Sequence, residues 1–203
     1  MCKFVPNDFT MLGLKLLTDP RWANIAESNL EEILTDHAWC EQKAATNAIS
    51  LITQNSEHPD LVHELTAIAI EEMQHFQLVI DIIKRRGYAL GRERKDDYVN
   101  QLMKFMKKDG SRNTAFIDRL LFAAMIEARS CERFRVLSQN INDKELARFY
   151  YDLMVSEANH YTTFLNFARR YTIDVDVERR WKEWLEFEGK LIQSYGKTEH
   201  IHG

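Results

Sequence analysis

Two glutamate–histidine pairs carry the clearest chemical signal in this 203-residue sequence: Glu72 with His75, and Glu157 with His160. Each pair has the spacing Glu-x-x-His and lies near the middle of a long stretch with helical periodicity. Residues i and i+3 of a helix share one face, so each pair can direct a carboxylate and an imidazole at one metal ion. The two pairs therefore predict two halves of a metal site.

Another glutamate precedes each pair by about 30 residues, Glu41 before the first and Glu127 before the second. In an antiparallel helical hairpin, residues at the same height are equidistant from the turn. The midpoints of Glu41 with Glu72 and of Glu127 with Glu157 both fall inside predicted turns. Each hairpin should therefore hold one Glu and one Glu-x-x-His pair at a single level, as in the dinuclear carboxylate sites of ferritin-like four-helix bundles.

Neighbouring glutamates compete for these roles. The midpoint of Glu132 with Glu157 lies past the predicted turn, so Glu127 is the preferred ligand on the third long helix. Glu71 lacks a histidine three residues later and is less suitable than its neighbour. A third Glu-x-x-His match, Glu199–His202, lies in a polar C-terminal tail, and we interpret it as a chance match.

The ligand types indicate which metal would bind. Carboxylates and imidazoles suit iron or manganese better than Cu(I), with zinc possible through misloading. Four buried glutamates at one level would repel one another, and bound cations remove that conflict. We expect two metal ions, either iron or manganese; the alternative is that these residues are surface charges at accidental spacing. Open coordination positions would permit chemistry with O₂.

Helical periodicity predicts the elements that position these residues. The long helices cover about residues 29–54, 59–86, 114–139 and 142–171, and residues 87–113 form a crossover with a helix of its own. A short helix precedes them from Asp19, and a last one covers about 177–195. Because one long crossover between two short loops is typical of ferritin-like bundles, the predicted fold is all-α, a ferritin-like four-helix bundle with extra N- and C-terminal helices. We expect a single domain over residues 1–203.

Local signals predict where these helices begin and end. Ser28 with Glu31 has the spacing of a capping box, and Asn142 with Glu145 forms a similar pair. Gly87 is expected to end the second long helix. Asp109-Gly110-Ser111 should end the helical segment of the crossover before the third long helix begins.

Composition restricts the class of protein. With 45% hydrophobic and 29% charged residues but only 7 Gly and 3 Pro, the sequence is typical of a helical globular protein. No apolar run approaches the roughly 20 residues of a membrane span, and no signal peptide is evident. The three cysteines, Cys2, Cys40 and Cys131, form no pairing pattern. We therefore expect a cytoplasmic protein without membrane contact.

Two residues near the proposed ligands are secondary candidates. His37 lies one turn before Glu41 and could line the same pocket or bond to a ligand, or it could be an ordinary core or surface histidine. Cys131 lies one turn after Glu127, and a small buried hydrophobic role is preferred for it over catalysis.

A local basic cluster contrasts with the formal net charge of −4. It comprises Arg85, Arg86, Arg92, Arg94 and Lys95. Exposed helix faces often look like this, so the charge pattern alone gives only a candidate surface for a polyanion such as tRNA.

Four segments resemble the bacterial tRNA 2-methylthio-N6-isopentenyladenosine hydroxylases. The most specific is the string EARSCERF at residues 127–134, and the others are residues 36–45, 71–76 and 156–160. The resemblance covers nearly the whole chain, from about Leu14 to Tyr195. It implies a centre of two iron ions, with manganese as the second choice. The implied ligands are Glu41, Glu72, His75, Glu127, Glu157 and His160.

The resemblance also implies the reaction. A nonhaem di-iron monooxygenase of this kind would insert one atom of O₂ into the isopentenyl side chain of a modified adenosine beside the tRNA anticodon. The second atom would leave as water, with two electrons from a separate reductase or ferredoxin. The modified base would have to leave its stack to reach a buried metal, which is common in RNA recognition.

Other functions of ferritin-like proteins remain as alternatives. A ferroxidase or iron-storage protein is the runner-up, although extra helices at both ends would complicate cage assembly. A rubrerythrin-like peroxidase would usually carry a C-x-x-C module, which this sequence lacks. A monomer or small homo-oligomer is expected for the hydroxylase.

Overall fold

The computed structural model describes residues 11–107, 109–193 and 201. Within these residues the secondary structure is helical, with a short 3-10 turn at Met11–Gly13 and no strand, as the sequence predicted. The α-helices are α1 (Trp22–Ser28), α2 (Leu30–Gln54), α3 (Pro59–Arg85), α4 (Asp97–Phe105), α5 (Arg112–Asn140), α6 (Lys144–Tyr171) and α7 (Val177–Ile192). The predicted end of the last helix near Tyr195 lies outside the described residues, as does the Glu199–His202 match.

The described residues form two compact units, one with residues 26–95 and 201, the other with residues 11–25, 96–107 and 109–193. The first unit is built on the hairpin of α2 and α3. Small and aliphatic side chains at helical spacing, such as Ala38, Ala45 and Leu51, are buried on α2. Leu65 and Val79 are buried on α3. The single domain expected over residues 1–203 stays a prediction.

The end of α3 shows why Gly87 is a glycine. This residue has φ 71°, in the left-handed region. Its N–H donates to the carbonyl of Lys84, and the N–H of Tyr88 donates to that of Ile83, both at 3.1 Å. This pair of bonds is the Schellman arrangement, and it confirms the predicted stop.

The segment after α3 lies along the N-terminal half of α2. Trp39 Nε1 donates to the carbonyl of Gly91 at 2.9 Å, and the N–H of Gly91 donates to Thr35 Oγ1 at 3.3 Å. A Cβ atom at position 91 would lie 3.0 Å from Thr35 Cγ2, so glycine permits the close approach. The backbone of Ala89 also donates to Glu31 at 3.2 Å. The start of the predicted crossover is therefore ordered by α2, and α4 is the helix predicted within it.

The second unit is built on the hairpin of α5 and α6, with α4 and α7 joined to α5 through buried ions. Arg129 on α5 donates through Nε to Glu188 of α7 at 2.8 Å and through Nη1 to Glu132 at 3.0 Å. Tyr98 of α4 donates its hydroxyl to the same Glu188 at 3.1 Å. The N-terminal segment joins this network, because Arg129 also donates to the carbonyl of Leu16. Paired in this way, these charges can be buried.

The N-caps predicted for α2 and α6 were each wrong by one residue. The N-cap of α2 is Asn29 rather than Ser28, and within the described chain its side chain accepts no capping hydrogen bond. Asp143 rather than Asn142 caps α6, accepting from the N–H groups of Glu145 and Leu146. A carboxylate one residue closer to the helix is well placed to bond the first free amides, which explains the shift.

The third long helix begins slightly earlier than predicted, at Arg112 instead of residue 114. Ser111 is its N-cap and accepts from the N–H of Thr114 at 3.0 Å. Across the described residues, the helices are all too short or too polar to serve as membrane-spanning segments.

Candidate metal centre

The first group of candidate ligands lies on the α2–α3 hairpin. Glu41, Glu72 and His75 are all buried, and one potential ligand atom from each lies within 4.8 Å of those of the others. His75 Nδ1 is 3.5 Å from Glu72 Oε2 and 3.7 Å from Glu41 Oε2. The predicted equal height of Glu41 and the Glu-x-x-His pair is thus observed within this hairpin.

Local sequence explains why Glu41 can lie in the interior. Ala38 and Ala45, one turn to either side of it, are buried and leave space for a carboxylate. His37 is fully buried, and its Nε2 is 2.6 Å from Glu41 Oε1. His37 therefore contacts a candidate ligand. A hydrogen-bonded core histidine, the other predicted role, would show the same contact, so a role of His37 in the metal site stays a prediction.

The competition between neighbouring glutamates on α3 is resolved by burial. The side chain of Glu72 is 1% exposed, whereas that of Glu71 is 47% exposed. Glu71 Oε1 still lies 3.8 Å from His75 Nε2. The buried position of Glu72 favours it as the ligand.

The pKa values of Glu41 and His75 are shifted in the directions expected of a site that binds a cation. Burial alone would raise the pKa of Glu41, but the hydrogen bond with His37 and the nearby imidazole of His75 outweigh it and hold the pKa well below its usual value. Burial lowers the pKa of His75, yet the attraction of the Glu41 and Glu72 carboxylates prevails and raises it to about 10. The carboxylates thus favour a positive charge between them. A metal ion can take the place of that proton, since histidine binds metals in its neutral form.

The second group lies on the α5–α6 hairpin. Glu127, Glu157 and His160 are buried, and one potential ligand atom from each again lies within 4.8 Å of those of the others. His160 Nδ1 is 4.0 Å from Glu157 Oε2. Ala123 and Ala124 precede Glu127 by one turn and are buried, so the space beside this carboxylate resembles that beside Glu41.

Glu132, the competitor on α5, is engaged in a different way. It accepts hydrogen bonds from Thr18 of the N-terminal segment and from Arg129 and Arg135 of its own helix. Both of its carboxylate oxygens therefore face cationic or hydroxyl donors, which favours Glu127 as the ligand. The midpoint argument anticipated this choice, although no local pattern predicted the bond with Thr18.

Cys131 is buried on the inner side of the α5–α6 hairpin. Its thiol donates to the carbonyl of Met154 at 3.3 Å. Burial and the nearby Glu132 raise its pKa to about 12, so it is a neutral thiol at physiological pH. This environment fits the hydrophobic role preferred for it and argues against a nucleophile.

The basic cluster lies at the end of α3 and in the segment that follows. Arg85, Arg92 and Lys95 are exposed, while Arg86 and Arg94 are half-buried. Arg94 forms an ion pair with Glu32 at 2.6 Å, so its charge is partly neutralised. The exposed members remain the better candidates for contacts with phosphate.

Comparisons with known proteins place these features in context. The profile of the tRNA-(MS2IO6A)-hydroxylase (MiaE) family matches residues 8–203. The chain is 36% identical over 185 residues to the tRNA 2-(methylsulfanyl)-N(6)-isopentenyladenosine(37) hydroxylase of Pseudomonas putida, covering 91% of this chain and 89% of that protein. A hydroxylase of the same name from Salmonella typhimurium is 26% identical over 221 residues, covering 86% of this chain and 80% of that protein.

A solved structure is also similar. It is described as protein 43 with aldehyde deformylating oxygenase activity from Synechococcus, with a TM-score of 0.86 and 29% identity. The match covers 94% of this chain and 95% of that one. The predicted fold class, all-α and ferritin-like, is confirmed.

Proposed function

The chain belongs to the tRNA-(MS2IO6A)-hydroxylase (MiaE) family, and from this membership we propose how it acts as a tRNA hydroxylase. The family match over residues 8–203 is the observation that carries the assignment. The substrate is the isopentenyl group of 2-methylthio-N6-isopentenyladenosine in tRNA, beside the anticodon. Because both curated relatives are hydroxylases, this function is favoured over ferroxidase or iron storage.

The two groups of buried ligands would together hold two iron ions. Each hairpin contributes two carboxylates and one imidazole, the ligand set of dinuclear sites in ferritin-like proteins. The set comprises Glu41, Glu72, His75, Glu127, Glu157 and His160. Iron bound there would activate O₂ for hydroxylation of a C–H bond. Manganese remains the second choice, because the same ligands suit it.

The protein's own residues would orient this chemistry. Glu41 would be fixed by its bond with His37, which restricts the carboxylate to one rotamer. The alanines beside Glu41 and Glu127 would leave room for the isopentenyl group and O₂, and burial of all six ligands would exclude bulk water. The reaction consumes O₂, two electrons and two protons, and yields the hydroxylated base and water.

The partners follow from the same reaction. A separate reductase or ferredoxin would supply the two electrons, because each turnover consumes them and neither O₂ nor the base provides them. The tRNA would be held through phosphate contacts at Arg85, Arg86, Arg92, Arg94 and Lys95. A tRNA substrate fits the cytoplasmic location expected from the cysteines. A monomer or small homo-oligomer on size-exclusion chromatography would agree with this function and disfavour a storage cage.

The decisive experiment combines nucleoside analysis with isotope labelling. Mass spectrometry of tRNA nucleosides from cells with and without the protein should show the hydroxylated nucleoside only when the protein is present. In vitro, the iron-loaded protein is given a reductant, ¹⁸O₂ and tRNA that carries 2-methylthio-N6-isopentenyladenosine but not its hydroxyl group. The hydroxylated nucleoside should then contain ¹⁸O. Label arriving from H₂¹⁸O instead would rule out a monooxygenase.

A further inference from the structure

Arg133, the penultimate residue of the EARSCERF string, is buried in an environment that leaves its donors unsatisfied. Its side chain has no solvent exposure. Among the residues that the structure describes, none accepts a hydrogen bond from its Nε, Nη1 or Nη2. The ring of Trp22 lies over the guanidinium, with 4.2 Å between Cζ and the ring centroid. The ring attracts the cation through its face but offers no acceptor to the N–H groups.

The charge of Arg133 persists despite this burial. Burial lowers its pKa to about 10, which still leaves the guanidinium protonated at neutral pH. A buried charge without hydrogen bonds is strongly disfavoured, and an arginine presents five donors that need acceptors. The position therefore favours a bound hydrogen-bond acceptor, and best of all a carboxylate, which can accept from two guanidinium nitrogens at once.

Nearby carboxylates are already occupied. Glu132 accepts from Thr18, Arg129 and Arg135, and Asp19 is paired with Arg21. Among the described residues no acceptor is available to Arg133, so another molecule could supply it.

A cavity of about 530 Å³ beside Arg133 could receive that molecule. Its walls are mostly apolar, including Leu16, Leu17, Ile25 and Ile192, with Asp19 and Arg21 among the polar residues. The volume lies within the usual range for small-molecule sites, in which a few polar groups orient a largely apolar ligand. It is far larger than the few waters that would satisfy one arginine.

We propose that this cavity binds a small organic monoanion, with its carboxylate on Arg133 and its apolar body against Leu17, Ile25 and Ile192. Arginine binds a carboxylate through two parallel hydrogen bonds, which would satisfy donors that the Trp22 ring cannot. Because the guanidinium nitrogens are closed to solvent, the carboxylate reaches them by displacing the Trp22 ring. A monoanion fits better than a phosphate dianion, since a single guanidinium without hydrogen-bond acceptors faces it and the carboxylates of Glu132 and Asp19 lie nearby. None of the six proposed iron ligands lines this cavity.

Calorimetry on the full-length protein tests the proposal, with octanoate as the probe. Octanoate should bind, whereas 1-octanol, with the same apolar body and no charge, and inorganic phosphate, with charge and no apolar body, should each bind at least about tenfold more weakly. Equal binding of octanol, or no heat with octanoate at millimolar concentration, would overturn the proposal. This comparison needs no variant.

Two substitutions locate the site. Arg133→Met, which keeps length and apolar character, should weaken octanoate binding at least about tenfold. Arg148→Met removes the same charge from an exposed arginine that is paired with Asp152 and does not line the cavity, and it should leave binding within about twofold. If Arg133→Met does not fold, Ile25→Trp, which fills the cavity from α1, should abolish binding instead. Unchanged octanoate affinity in the folded Arg133→Met or Ile25→Trp protein would refute the site.

Discussion

Glu72 and Glu71 are adjacent on α3, and their opposite exposure makes them a matched pair for testing the metal site. Glu72→Gln removes a buried carboxylate from the proposed ligand set, so bound iron should fall from about two ions per chain to less than one. Glu71→Gln removes the same charge from a side chain that is 47% exposed and should retain the iron. Iron quantitation after expression with iron measures both. Equal retention in the two variants would contradict the ligand assignment.

The two cysteines that the structure describes also differ in their exposure to solvent. Cys131 is buried and Cys40 is half-buried. In a Cys2→Ser background, a thiol reagent at pH 8 should modify Cys40 quickly and Cys131 only after denaturation, because the thiolate is the reactive form. Fast modification of both cysteines in the native protein would be inconsistent with the buried environment of Cys131.

The raised pKa of Cys131 also has a consequence for stability. Its folded pKa of about 12 exceeds the ordinary value of 9.0. Folding therefore favours the protonated thiol, and this contribution is complete below about pH 9 and lost as the pH rises toward 12. Denaturant titrations should show a smaller loss of stability over that range in Cys131→Ala than in the parent protein, and equal slopes would argue against the shift.

At the scale of elements, the packing of α7 against the N-terminal segment depends on Gly189. A Cβ atom there would lie 2.8 Å from Lys15 Cβ, too close for a contact near the backbone to relax easily. Gly189→Ala should therefore lower the free energy of unfolding by about 1–3 kcal/mol despite the better helix propensity of alanine. Lys190→Ala, at the exposed neighbouring position, should change it by less than about 0.5 kcal/mol. Thermal denaturation compares the two, and a stabilised Gly189→Ala would show that the segments do not pack this closely.

The segment after α3 is the element proposed to hold tRNA. Replacing Arg85, Arg92 and Lys95 together with alanine should weaken tRNA binding, because fewer phosphates of the RNA would be neutralised. The log–log salt dependence should fall by about 0.7 for each single-strand phosphate that these side chains neutralise in the parent protein. The iron content and the reaction with a free nucleoside should be unchanged. Filter binding at several salt concentrations provides the measurement.

Arg148 is a suitable control for this surface, because it is exposed on α6 and paired with Asp152 at 3.1 Å. Arg148→Ala should leave the affinity and the salt dependence as they are. If the triple variant behaves like Arg148→Ala, the tRNA binds at another surface.

On the scale of the whole molecule, the network around Arg129 joins elements far apart in the sequence. Glu188→Ala would leave Arg129 and Tyr98 without their shared acceptor, so it should lower the free energy of unfolding by about 3–5 kcal/mol. Glu186→Ala, on the exposed side of the same helix, should cost less than about 0.5 kcal/mol. Urea denaturation of both variants measures the difference, and similar midpoints would mean that the network contributes little.

Sequence reasoning succeeded where the information is local. Helical periodicity predicted the long helices, and distance from the turn predicted the pairing of Glu41 with Glu72 and of Glu127 with Glu157 within each hairpin. The family resemblance predicted the function. The end of α3 was also predictable, because Gly87 is a local signal.

The features that the sequence did not predict depend mainly on contacts between distant residues. The bonds of Thr18 with Glu132 and of Arg129 with Leu16 and Glu188 join residues 59 to 114 positions apart, and no spacing rule predicts them. For the same reason, the lack of hydrogen-bond acceptors around Arg133 could not be predicted from a string in which arginines and glutamates alternate. The caps of α2 and α6 were missed by one residue because several polar side chains compete at each helix start.

Arg129 has a further consequence for the order of events during translation. Its acceptors are the carbonyl of Leu16, synthesised before it, the carboxylate of Glu132 on the same helix, and the carboxylate of Glu188, which is 59 residues later. In a nascent chain that has released α5 and α6 but not α7, water must take the place of Glu188 at this guanidinium, which opposes closure of the surrounding core. In the α2–α3 hairpin, the histidines that contact Glu41 belong to the hairpin itself. Its two helices can therefore pack against each other during translation. Completion of the second unit should therefore coincide with the emergence of its last helix.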